Sequence, residues 1–482
     1  MSERLESGLQ VTGPSARAAS ALRTAAREDD GSAILTALVL ATVSLTLAGS
    51  VLVYTVARER LVLRDGERLE AVYAAESGVH AALAALRAGD LGVGEEGTFE
   101  VAPGWEAQVA TRYRGGRVEL ASVVGGRWSE ARVRMEAARE PPEEAHAAFA
   151  FGDTLSPVTL AGRATIRGPV LTGRRGLAAR TLQGRPFRGD VDGELVVRET
   201  GDPVPPVDTR AYDATLARLG RWLDALPEDP PSGLSPLLET HPAVVEERVF
   251  QPDTRVLVAA DRTTVREEDL EGANGPVVVL GAGALRIAGP LPTGSTIAAR
   301  GVLRVEGAAR GQSLLFSGER VEVDGPTMLE AEVVARRSVR IAGGARLVYP
   351  SSVYAALETG DESDQVVIEA GTVEGTVLVP ETDLGGPAAV RLRMTEDARV
   401  VGAVVALSTA EVEGQIEGSL FAQRFRFFSS PATFVNWLRD ATIDVRARPE
   451  GFVVPVGVGE GPEPFVPLRR EVRSSFMSRE GR

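Results

Sequence analysis

The spacing of apolar and polar positions changes character along the chain. From Gly31 to Ala57 the stretch GSAILTALVLATVSLTLAGSVLVYTVA has no charged residue. It runs on as RERLVLRDGERLEAVYAAESGVHAALAALRA, where Leu61, Val62, Leu69, Val72, Tyr73, Val79, Leu83 and Leu86 recur at helical intervals. This predicts one long helix over 32–90, apolar along 32–57 and amphipathic beyond, with Gly89 as its stop. About 20 apolar residues cross a bilayer, so 32–57 is long enough to span one with some tilt. Over 91–140 the period drops to two. FEVAPG, WEAQVATRY, RVELASVVG and ARVRMEAA read as four short antiparallel strands joined by turns at Arg114-Gly115-Gly116 and Val124-Gly125-Gly126. One face of that sheet is expected to cover the helix through Val109, Val118 and Val133, with Trp105 and Trp128 closing its edges. PPEEAH, 141–146, is a linker by composition.

A third pattern is periodic. LRIAG, LRVEG, VEVDG and VRIAG end on Gly289, Gly307, Gly325 and Gly343, each 18 residues after the last. Leu285, Leu303, Val321 and Val339 keep one register, and Ile287, Val305, Val323 and Ile341 keep another. Arg286, Arg304, Glu322 and Arg340 stand between them. Side chains alternate across a strand, so the two apolar columns point inward and the third outward. An equal spacing with two or three short strands per repeat suits stacked coils better than a β-sandwich. The expectation is a right-handed parallel β-helix over 147–447. TRAYDATLARLGRWLDALP (about 208–226) forms a helical insertion packed on its end or flank, and loops fall near 355–365 and 380–388. Phe427, Phe428, Phe434 and Trp437 are expected to cap the last coil, with a C-terminal tail over 448–482 that is mobile from Gly461.

Composition narrows the chemistry. A chain of 482 residues suggests two or three domains. The net charge is −14, every basic residue is Arg, and the only Arg-rich run is C-terminal, so nucleic acid is not an expected partner. There is no cysteine, which removes disulfides, thiol catalysis and thiolate metal sites. His80, His146 and His241 are far apart, and no phosphate-cradling GxxxxGK[ST] occurs. Glu322, Asp324, Glu332, Arg304 and Arg340 could serve a polysaccharide-cleaving surface, but a solvated charge ladder accounts for them as well. The acidic LETGDESD (357–364) could take calcium, but lacks the ligand spacing of a known loop. No enzyme activity and no cofactor are expected.

A Gly before the apolar block (Gly31), a small residue after it (Ser32), and AAESGVHAAL at Ala74–Leu83 carry a resemblance. Residues 31–138 resemble the N-terminal module of type IV minor pilins and pseudopilins of the PilX-like kind. The resemblance implies an α+β module, a long helix with a small antiparallel sheet, here followed by the all-β region. It implies cleavage of the leader 1–31 by a prepilin peptidase between Gly31 and Ser32. It also implies filament packing through Ala33, Leu35, Thr36, Leu38 and Glu76. Most such proteins have Glu at the fifth mature position, where this chain has Thr36, which fits a tip or low-copy subunit. Asp29 and Asp30 stand where basic residues are usual. The implied partners are the inner membrane, other pilin or pseudopilin subunits and the peptidase. The implied setting is a single-pass bacterial inner-membrane protein with its bulk periplasmic or extracellular, in a type IV pilus or type II secretion apparatus. Arg17, Arg23 and Arg27 before the block are balanced by Arg58, Arg60, Arg64 and Arg68 after it, so charge does not fix orientation. Two other readings stand beside this one. One is a plainly anchored surface β-helix that binds or degrades cell-surface polysaccharide; the other is a bactofilin-like scaffold.

Overall fold

The structure, a computed structural model, describes residues 30–153, 155–198, 202–272, 275–382, 389–459 and 465–476. The predicted leader up to residue 29, and 383–388 of the loop expected near 380–388, lie outside these. Two compact parts divide the chain: the helix up to Glu70 with Arg127–Ser129, and a second part comprising Ala71–Gly126 and the chain from Glu130 to Ser475.

Helix α1 spans Asp30–Ala88 without a break. Gly89 ends it with φ +80°, and its N–H bonds the Leu86 carbonyl at 3.2 Å. In the first part, α1 is exposed along its apolar run; Leu35 and Leu38 are each 66% exposed. Glu67 Oε1 accepts the Trp128 backbone N–H at 2.7 Å.

The second part opens with the C-terminal turns of α1, whose apolar stripe is covered by a sheet. Strands β1 (Glu96–Ala102), β2 (Trp105–Arg114), β3 (Arg117–Gly125) and β4 (Ser129–Arg139) pair antiparallel in order. Val109, Val118, Leu120, Val133 and Met135 point to Ala71, Ala75, Val79, Ala82 and Leu83, and all are buried in one cluster. Small residues line the helix face, so helix and sheet lie close. A Cβ at Gly78 would stand 2.4 Å from Ala107 Cβ and 2.6 Å from Ser122 Oγ. The sheet has a fifth strand that the sequence pattern did not reveal. Phe465–Phe476, expected within a mobile tail, lies beside β4. Upstream of it, Phe452, Val454, Val456 and Val458 are buried, and Arg139 and Val454 exchange backbone hydrogen bonds.

The rest is mostly β, with a nearly continuous ladder of parallel strands. Strands two apart in sequence pair with each other, so the chain winds in coils. The 18-residue spacing is the pairing register: Leu285, Leu303, Val321 and Val339 are successive rungs, as are Arg286, Arg304, Glu322 and Arg340. On the next side of each coil, one buried column runs Leu257, Val279, Ile297, Leu315, Val333, Val353, Val377, Val404 and Leu420. The following residues, Val258 through Ala298, Phe316 and Tyr354 to Phe421, face outward and are also buried. Helix α2 (Arg210–Asp224) covers them with Leu216, Leu219, Trp222 and Leu223. It therefore packs on the flank, one of the two placements its amphipathic pattern allowed.

The order of coils differs from the order of the sequence. Leu420 pairs not with a following coil but with Phe149, and the column continues to Val170 and Leu195. The first-made coils, 149–197, thus stack on the last-made ones, and the chain returns through α2 to begin again at Leu257. This corrects the expected cap at 426–447. Arg426–Ser429 forms a hairpin with Ala432–Val435, after which Thr442–Asp444 makes another rung, under Thr165–Arg167. Phe427, Phe434 and Trp437 pack with Ala161 and Leu182, whereas Phe428 is 64% exposed. The segment is internal to the stack, so it has no open end to cover.

Candidate functional site

Two features exceed what folding a small domain requires. The first is the apolar run of α1. Among the described residues one helix, within Ile34–Ala88, is long and apolar enough to cross a membrane. Thr42, Thr46, Ser50 and Thr55 each donate a hydroxyl to the carbonyl four residues back, at 2.7–2.8 Å. Their polar atoms are thereby satisfied inside the helix, which lowers the cost of placing them in hydrocarbon. Gly31 and Ser32 lie in the first turn of α1. Ala33 follows in the same helix, and Leu35, Thr36 and Leu38 are on its exposed part. Glu76 lies elsewhere: Arg470 of the fifth strand pairs with it at 3.1 Å. The structure therefore groups four of the five sequence-derived packing residues on one helical segment and engages the fifth within the chain.

The second feature is a buried charged seam. The sheet face opposite α1 carries Arg112, Arg114, Arg117, Glu119, Arg134 and Glu136, and this face lies on the coil stack. Glu119 takes Arg112 at 2.5 Å and also pairs with Arg134. Glu136 takes Arg134 at 2.7 Å and Arg117 at 3.0 Å. From the stack, Glu330 and Glu332 reach Arg117 at 3.2 and 2.8 Å. From helix α3 (Pro242–Phe250), Glu247 reaches Arg112 at 2.9 Å. Arg114 donates to the carbonyls of Gly294 and Ser295, both at 2.9 Å.

Burial opposes ionisation here, and the partners decide the outcome. Glu119 is held well below the usual carboxylate range because Arg112, Arg134 and Arg114 together outweigh its desolvation. Glu136 is lowered for the same reason. Burial pushes Glu332 up, despite Arg117, Ser352 and the Gly116 N–H, which donates at 3.0 Å. Glu332, one of the acids considered for an outer catalytic surface, is thus only 4% exposed and belongs to this seam. Arg218 of α2 differs from its neighbours. It has no carboxylate within ion-pair distance among the described residues. Burial, then repulsion from Arg112, pushes it down to about 9.

The other candidates find ordinary partners. Arg304 pairs with Glu322 at 2.7 Å and Arg340 with Glu369 at 2.7 Å, rung to rung. In the acidic loop at 357–364, the carbonyls of Gly360, Asp361 and Asp364 accept from Arg391, at 2.9, 2.5 and 2.9 Å. A guanidinium thus fills the place a cation would take. His241 caps α3 by accepting the Ala243 N–H at 3.2 Å. Among the described residues, no three His, Asp or Glu side chains are grouped to hold a metal.

The chain matches no family model and no curated protein. Among solved structures it is similar to the competence-associated pilin ComZ from Thermus thermophilus, over 84% of this chain and 97% of that one, at 12% identity. The TM-score is 0.20, which does not amount to a shared fold.

Proposed function

We propose that the chain is a structural, non-catalytic subunit of the pilin or pseudopilin type, anchored in the bacterial inner membrane and displaying a right-handed parallel β-helix. One observation carries this reading: a single unbroken helix is uncharged and exposed from Ile34 to Ala57, yet packed under a sheet along its last turns. Such a helix serves two solvents in turn. Its apolar run satisfies a bilayer, and the same side chains satisfy the apolar runs of like helices in a bundle. The processing sequence at Gly31–Ser32 supports the first transfer, and Thr36 in place of an acid favours a tip or low-copy position. The sheet and stacked coils form the cargo outside the membrane.

The test is co-expression with a prepilin peptidase, followed by N-terminal sequencing and filament purification. The expected results are a mature chain beginning at Ser32 and its recovery with sheared filaments or a secretion complex. A chain that keeps its leader and stays wholly in the membrane fraction defeats the proposal.

A further inference from the structure

The two ends of the coil stack are finished differently. At one end Leu257 is fully buried, and Leu234–Pro236 pairs antiparallel across the outside of its strand. At the other end the same column stops at Leu195, which is 48% exposed. Among the described residues the strand Leu195–Val197 pairs on one side only, with Val170–Thr172, and Val196 and Val197 are exposed as well. A bare strand edge with apolar side chains is a template for another strand, and repeat stacks need a polar cover at each terminus.

We propose that this end is covered by a second copy of the chain, the two Leu195–Val197 strands pairing antiparallel about a two-fold axis at Val196. Backbone geometry permits that register. Glu194 O accepts from Val170 N at 2.8 Å, and Arg198 N donates to Thr172 O at 2.9 Å. Even-numbered residues therefore spend their backbone groups on the neighbouring coil, and the N–H and C=O of Leu195 and Val197 point outward. With Val196 opposite Val196, Leu195 falls opposite Val197 of the other copy, and these two exchange hydrogen bonds in duplicate. Their side chains also meet on the inner face, so the apolar column runs on through the junction.

Charge selects a second copy over an unrelated strand. The stretch Glu194-Leu195-Val196-Val197-Arg198 reads acid, apolar, apolar, apolar, base. Reversed against itself, it sets each Glu194 opposite an Arg198 on the same face as Val196. Opposite charges facing each other across strands favour pairing, and like charges oppose it. Within its own copy Arg198 has Glu144 at 4.0 Å, a long contact that leaves its donors open to a nearer carboxylate.

The inference does not rest on the filament reading, and its test separates the two. The chain has no cysteine, so Val196→Cys introduces a single reporter at the axis, where facing Cα atoms of about 4.5 Å allow a disulfide. Full-length protein in detergent is oxidised beside Leu238→Cys, a residue 78% exposed elsewhere. The expected result is a covalent dimer forming about a hundredfold faster at position 196, the gain of a held over a diffusing pair. Adding Glu194→Arg or Arg198→Glu should abolish that advantage, and adding both should restore it. Equal rates at 196 and 238, the result if copies meet only through α1, overturn the proposal. So does a rate at 196 indifferent to charge reversal.

Discussion

At the residue scale, the seam between sheet and coils dominates. Glu136 pairs with Arg134, Arg117 and Arg114 at once and accepts from Gln312 Nε2 at 3.1 Å, all in buried surroundings. Removing one member of such a set leaves its partners charged and unpaired, so Glu136→Ala should cost about 3–5 kcal/mol in chemical denaturation. Arg218 should behave oppositely. With its native pKa depressed to about 9, folding at neutral pH must bury a charge that resists burial. Arg218→Met should therefore raise stability by about 1–4 kcal/mol in chemical denaturation, and a clear loss would contradict this reading. Acid tests the seam as a whole. Glu119 and Glu136 titrate below their unfolded values, so their stabilisation is complete above the ordinary carboxylate pKa of about 4.3 and is lost as pH falls further. Glu332 has the reverse sign and takes up its proton first. Denaturation midpoints should accordingly rise slightly towards about pH 4.3 as Glu332 takes up its proton and fall steeply beneath it; a midpoint still climbing under that pH would contradict the assignment. These charges were legible one by one in the alternation of β2 to β4, but not as a seam. Alternation says that Glu119 and Val118 face opposite ways; it does not say that the polar face meets a second wall.

At the element scale, the helix and the repeats were the readable parts, because each is encoded by neighbours in sequence. The stripe from Val72 to Leu86 and the columns through Leu303 and Val305 are local periodicities, and the pairing reproduces the 18-residue register. The fifth strand was not readable. VPLRREVRSSF is charged and Pro-bearing because it lies at the sheet's margin, where Arg469 reaches Glu330 at 2.9 Å and Arg470 reaches Glu76. An edge strand of that kind looks like a tail. Gly78 gives a sharper lesson: within a helix it weakens propensity, yet here it permits the close approach of Ala107 and Ser122. Gly78→Val should destabilise by about 1–3 kcal/mol through overpacking, read as a lowered urea midpoint. By contrast Arg304→Ala, on an exposed rung, should change stability by less than about 1 kcal/mol.

At the scale of the whole molecule, the coil order is what no local pattern could convey. Nothing in 149–197 distinguishes a coil that precedes Leu257 from one that stacks on Leu420, since both arrangements bury the same alternating residues. The choice is made by distant partners. Ser419 donates to the Ala145 carbonyl at 2.9 Å across a separation of 274 positions, and Phe149 stacks on Phe425 with ring centroids 5.8 Å apart. That arrangement has a temporal consequence. A chain emerging from the ribosome or a translocon delivers 149–197 long before the surface it must lean on. Those early strands stay without a seat until the residues near 415–444 arrive, and only then does the structure close. Assembly is therefore late and all-at-once rather than progressive from the N-terminus, and the waiting strands are the ones a chaperone would have to shield.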